Sequence, residues 1–176
     1  ACKASTEALQ KLWDDESTEA IVLVDAMNAF NGMNRAEALR TAWERCPRLA
    51  QALQNFYGSV AQLRTADGGC IDSQEGTTQG CPLGMAMFAV ASLPLIKAVT
   101  TDGVTQSWYA DDSAAAGRVE GLKSWYDLLR EKGPRFGYLV NSKKTVIIVK
   151  PQFREKLDQA FGELLKGDAA IRVIDG

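Results

Sequence analysis

Apolar and polar positions along the chain fall into blocks of different period, and each block predicts an element. Residues 1–18 are mixed, with a short helix expected around Glu7–Trp13 before the acidic run D-D-E-S-T. Ala20–Val24 is a compact apolar run ending at Asp25, the pattern of a buried strand. After Asn31–Gly32, the Asn34/Glu37 pair has capping-box spacing and opens a helix that must stop before Pro47. Leu49, Leu53, Phe56 and Tyr57 recur at three and four residues, predicting a second helix to about Gly58. Between Val60 and Cys70, Asp67–Gly68–Gly69 is a turn signal separating two modest strands.

The Gly-rich stretch G-T-T-Q-G-C-P-L-G then leads into a helix, expected from Pro82 or Leu83 towards Lys97 and disturbed at Pro94. Thr105–Tyr109 and Ser113–Ala116 form a hairpin with Asp111 and Asp112 at its tip. Leu122, Trp125, Tyr126 and Leu129 mark one face of a helix ended by Gly133–Pro134. Val146–Val149 is a second apolar strand, Phe153, Leu157, Phe161 and Leu164 stripe a last helix, and Ile171–Ile174 is a final strand. The order predicts an α+β fold, an antiparallel sheet backed by helices. No repeat, low-complexity segment or linker divides it, so one domain over residues 1–176 is expected.

Composition narrows the chemistry. The 46% apolar content suits a packed core, and the formal charge of −2 is an awkward balance for gripping a nucleic-acid backbone unaided. Histidine is absent, which removes imidazole acid–base catalysis and His-ligated metals. The four cysteines have no close pairing, arguing against a zinc cluster or disulfide framework. That usage, with no signal-peptide pattern, points to the cell interior, cytoplasmic or nuclear. The longest apolar run, near Met85–Ala91, is too short for a bilayer, so no membrane association is expected.

Candidate chemistry centres on Q-S-W-Y-A-D-D-S. Two adjacent carboxylates repel each other, and a hard divalent cation is the usual compensation. Asp25, at the carboxyl end of its strand, supplies a third acid if the two strands are neighbours. Three such acids at one sheet edge can hold two cations about 3.5–4 Å apart, the arrangement for phosphoryl transfer. Mg²⁺ suits oxygen ligands of this kind, with Mn²⁺ as an alternative.

These motifs resemble those of reverse transcriptases, in particular the palm of the retrotransposon and group II intron type. Y-A-D-D (Tyr109–Asp112) resembles the catalytic tetrad and V-D-A-M-N-A-F-N (Val24–Asn31) the first metal-binding motif. T-Q-G-C-P-L-G (Thr78–Gly84) and G-Y-L-V-N-S-K-K-T (Gly137–Thr145) follow in the family's order, over roughly Ile21–Val149. The resemblance implies Asp25 and Asp111 as principal metal ligands, helped by the backbone carbonyls of Ala26 and Met27. Asp112 would contribute electrostatically or through water. Phe30 falls at the position whose ring excludes a 2′-OH and so favours deoxynucleotides. Gln79 and Gly80 would shape the nucleotide pocket, and Tyr109 would touch the primer end. Lys144, or less directly Lys143, would approach the triphosphate and protonate or screen the leaving group.

Two positions depart from the family pattern: Tyr138 follows Gly137 where leucine is usual, and Gly84 follows Pro82–Leu83 where serine is usual. The resemblance places a fingers segment before the first motif and a thumb after the last, and neither is expected within residues 1–176. The expectation is therefore a palm fragment of an RNA-directed DNA polymerase, weak or inactive alone. Its partners in a complete enzyme would be template–primer nucleic acid and dNTP, and its uncovered surfaces offer a route to a homodimer. Two alternatives are an RNA-dependent RNA polymerase palm, disfavoured by Phe30 and Ala110, and a scaffold that has lost catalysis.

Overall fold

The computed structural model describes residues 2–78, 80–168 and 170–176, with side chains from Glu7 onward. In chain order its first elements are α1 (Cys2–Asp14), β1 (Ala20–Val24), α2 (Ala29–Gly32), α3 (Arg35–Arg45), α4 (Pro47–Tyr57), β2 (Ala61–Arg64) and β3 (Cys70–Ser73). There follow α5 (Gly84–Ala98), β4 (Val104–Tyr109), β5 (Asp112–Gly117), α6 (Val119–Lys132), β6 (Val146–Val149), α7 (Arg154–Phe161) and β7 (Arg172–Asp175). This is a mixed α+β fold. The elements gather into two compact units, one built from the chain up to Ala26 with Val99–Glu131 and Val140–Gly176, the other from Met27–Ala98 with Lys132–Leu139.

The first unit is a five-stranded sheet in the order β4-β5-β1-β6-β7. All pairings are antiparallel except β6 with β7, which is parallel and is reached through α7. The sheet is thus largely antiparallel and backed by helices, as expected, and β7 enters parallel because a strand returning over a helix runs in the same direction. β1 is apolar along its whole length because it lies inside the sheet, flanked by β5 and β6. Strand alternation divides the unit. Ala20, Val22 and Val24 share a face with Ala115, Ser113, Ile147 and Val149 by register. On that face Trp125 of α6 meets Trp108 edge-on and donates its indole N–H to Gln106. Leu122, Trp125, Tyr126 and Leu129 of α6 are all buried, as their spacing predicts, and Tyr126 packs against Phe161 of α7. Leu23, Ala114 and Val146 face the other way, where Leu9 of α1 joins them around a cavity.

Glu19, just before β1, ties the unit together. Its carboxylate accepts the Val119 amide at the start of α6 (2.9 Å) and the Lys156 ammonium of α7 (2.6 and 2.8 Å), and the residue is only 8% exposed.

The second unit packs α3 against α4 and α5, with β2 and β3 forming a separate two-stranded ribbon. Asn34 caps α3 by accepting the Glu37 amide at 3.0 Å. The reciprocal half of a capping box is absent: the Asn34 amide donates to Phe136 instead, and the Glu37 carboxylate pairs with Arg40 and Arg135. α5 begins at Gly84 rather than Pro82 or Leu83, since Leu83 only lends its carbonyl to Met87. It runs on through Pro94. Burial of Val90, Ala91 and Leu95 holds the helix against a penalty of about 3 kcal/mol for an interior proline.

Arg35 is 5% exposed, its guanidinium donating to the carbonyls of Ser73, Glu75 and Gly76 and to the Ser73 hydroxyl. Gly76 sits at φ 71, where a Cβ would run into the Asn31 backbone, so this close approach requires glycine. Among the described residues no helix is long and apolar enough to cross a membrane.

Candidate metal-binding acid site

Asp25 follows the last residue of β1, and Val24 pairs with Ser113 of β5. Continuing that register one step places Asp25 beside Asp112. The hairpin of β4 and β5 pairs Tyr109 with Asp112, so the turn consists of Ala110 and Asp111 alone. Asp112 is therefore the first residue of β5 and not, as expected, part of the hairpin tip. Pairing extends one residue further because Tyr109 and Asp112 close the ladder. Ala110 takes φ 52, a conformation that costs a residue with a Cβ about 1–2 kcal/mol.

Asp25, Asp112, Tyr109 and Lys144 line one cavity of about 440 Å³ in the sheet unit, together with Leu9, Leu23, Ala114 and Val146. The Lys144 ammonium stands 3.4 Å from Asp25 Oδ2. The Asp112 carboxyl is raised above the ordinary carboxylate range, first by partial desolvation and then by the charges of Asp111 and Asp25, with Lys144 acting in the opposite direction. Asp112 thus feels the negative charge of both other acids, a crowding that a cation would relieve.

Asn141 was not anticipated as a site residue, although its N-S-K-K setting belongs to the motif quoted above. Its amide donates to the Asp25 carbonyl at 2.9 Å, and its side-chain Nδ2 reaches Asp25 Oδ2 at 3.4 Å. Ala26 forms a bridge with Val140 whose hydrogen bonds use the Met27 amide and the Asp25 carbonyl, leaving the Ala26 carbonyl outside that pattern. The donors here are carboxylate and carbonyl oxygens, the chemistry of Mg²⁺ rather than of a soft metal. Among the described residues no three acidic or thiol side chains already stand together at metal-ligating spacing.

Phe30 and Gly80 belong to the helical unit. Phe30, in α2, stacks on Phe88 of α5 with ring centroids 4.4 Å apart and planes at 23°. Its carbonyl accepts the Thr77 amide at 2.7 Å, which ties it to the loop before α5. Gly80 is exposed at φ 83. Gln79 lies outside the described residues.

Comparison with solved structures gives the fold. An apo telomerase from Candida tropicalis truncated from its C-terminal domain superposes with a TM-score of 0.69 at 12% identity, over 86% of this chain and 36% of that one. A telomerase from Candida albicans in complex with a TWJ fragment of telomeric RNA gives 0.66 at 11%, over 84% and 30%. An apo telomerase from Candida tropicalis gives 0.66 at 11%, over 86% and 33%. The chain spans about a third of the length of these structures. No curated protein matches the sequence. The family model described as reverse transcriptase (RNA-dependent DNA polymerase) matches residues 2–158. The paired acids, their register and this match lead to one assignment: the chain belongs to the reverse transcriptase family.

Proposed function

We propose that this chain is the palm portion of an RNA-directed DNA polymerase, adding a deoxynucleotide to a primer 3′ end. The observation that carries the reading is the meeting of Asp25 and Asp112 on one sheet edge, with Lys144 on Asp25. Asp25 and Asp111, with the Ala26 carbonyl, would hold divalent cations. When bound there, Mg²⁺ would lower the pKa of the attacking hydroxyl and neutralise charge on the leaving pyrophosphate. Asp112, already crowded by negative charge, strengthens the field that draws cations in.

The other residues bind and exclude. Lys144 is long, exposed and mounted at the cavity wall, placed to meet a triphosphate oxygen and to screen or protonate the leaving group. Tyr109, 53% exposed on the same face, offers a ring to the primer terminus. Phe30, stiffened by its stack on Phe88, would reject a 2′-OH by steric clash, while Gln79 and Gly80 would shape the nucleotide pocket. A telomerase similar in fold carries a telomeric RNA fragment, which supports nucleic acid as the substrate class.

The test is primer extension on an RNA template with Mg²⁺, using the chain alone and fused to basic nucleic-acid-binding segments. Weak extension alone, stronger extension in the fusion, and a loss of at least about 100-fold in Asp111→Ala are expected, the scale for removing a group that stabilises transition-state charge. Extension unaffected by Asp111→Ala rejects the assignment. Phe30→Val should admit ribonucleotides more readily, and an unchanged preference removes Phe30 from the pocket.

A further inference from the structure

Lys144 projects from a tightly tied turn. The Asn141 carbonyl accepts the Lys144 amide (3.1 Å), the Thr145 amide (3.0 Å) and the Thr145 hydroxyl (2.9 Å), and Thr145 is fully buried. The backbone of the turn is thus anchored, while the Lys144 side chain is 67% exposed. Its ammonium meets Asp25 Oδ2, the oxygen that also faces the Asn141 amide nitrogen. Asn141 is neutral and orients the carboxylate. Lys144 is charged and competes for it.

The geometry points to Lys144 as a built-in competitor for the divalent cation at Asp25, so that cation affinity is set by whether this ammonium is drawn elsewhere. The inference rests on the reading of Asp25 as a cation ligand. An ammonium and a divalent ion on one carboxylate repel each other, and Lys144 cancels one of the three negative charges that attract the ion. An exposed pair of this kind is weak, so its release is easy. A polyphosphate in the cavity gives the ammonium a better partner, and moving Lys144 to it returns Asp25 to the cation. Nucleotide and cation then favour each other's binding, a linkage that runs equally in both directions.

The experiment is calorimetric titration of the whole chain with Mn²⁺ alone, in wild type, Lys144→Met, Lys144→Arg, Asp25→Asn and the double variant Lys144→Met/Asp25→Asn. Lys144→Met should bind Mn²⁺ roughly three- to tenfold more tightly, from removal of one nearby positive charge. Lys144→Arg should stay near wild type, and the gain should vanish in the double variant. A merely structural lysine would give no tightening. Unchanged or weaker binding in Lys144→Met, with Asp25→Asn still abolishing it, overturns the competitor role and leaves the metal site standing. Binding that survives Asp25→Asn in both backgrounds, or is absent from every variant, overturns the metal reading and this inference with it.

Discussion

Two acids show how differently carboxylates can sit in one sheet unit. Asp112 has its carboxyl raised by desolvation and by Asp111 and Asp25, so its charged form is disfavoured in the fold. A carboxyl whose folded pKa exceeds its unfolded value near 3.9 contributes fully only below that value, and the contribution is lost as pH rises through the folded pKa. Asp112→Asn should therefore stabilise the protein at pH 7, by a few tenths to about 1 kcal/mol once solvent screening is allowed for. Urea unfolding at pH 7 and pH 3 measures it. The gain should shrink in acid, and a variant less stable than wild type at pH 7 would contradict the reading. Glu19 is a buried carboxylate held by the Val119 amide and Lys156. Glu19→Ala leaves that buried amide without its acceptor and leaves Lys156 only its exposed pair with Glu120 (3.0 Å), and should cost about 2–3 kcal/mol with an unchanged m-value. A loss under 0.5 kcal/mol, a bound far below the range for a lost buried charge pair, would show that water replaces the carboxylate.

Elements with strong local pattern were legible in the sequence, and contacts between distant segments were not. β1 and β6 were readable as apolar runs and keep the expected bounds, and α6 buries the stripe its spacing marked. The pairing of Asp25 with the acidic hairpin was conditional on strand order, which local periodicity does not encode; the register supplies it. The parallel entry of β7 was hidden for the same reason. Phe56, read as part of a helical stripe, is 62% exposed: position on a helix face is a matter of tertiary partners. Arg35 was invisible because an arginine in a helix ordinarily signals a solvated face. Its guanidinium instead clamps the loop from Ser73 to Gly76, and the neighbouring amides of Gly76 and Thr77 donate to Met33 and Phe30. Arg35→Met strips these carbonyls of their donor, so the Gly76 and Thr77 amides should exchange hydrogen at least about tenfold faster, a change of about 1.4 kcal/mol in local opening. Arg35→Lys should not restore protection, because one ammonium cannot span acceptors spread over a planar fork. Protection retained in Arg35→Met would reduce this arginine to a packing role.

At the scale of the whole chain, charge and chemistry pull in different directions. The family acts on a polyanion, yet Lys and Arg number 20 against 22 Asp and Glu. Backbone binding depends on the number of phosphates neutralised, and log K falls with log salt at about 0.9 per phosphate contacted on a duplex. With a net charge of −2 and three acids at the proposed catalytic edge, the chain should contact few phosphates. Fluorescence anisotropy of a labelled RNA–DNA duplex between 50 and 200 mM salt should then give a shallow slope, no steeper than about −3, and weak affinity throughout. Mg²⁺ at the acid site would remove local repulsion, so affinity should rise on adding the ion at constant ionic strength, and Asp25→Asn/Asp111→Asn should reproduce part of that rise without it. A slope of about −6 or steeper would mean that a basic surface dominates binding despite the net charge. Binding indifferent to both Mg²⁺ and the double substitution would place the duplex away from these acids, and the palm reading would lose its link between the site and its substrate.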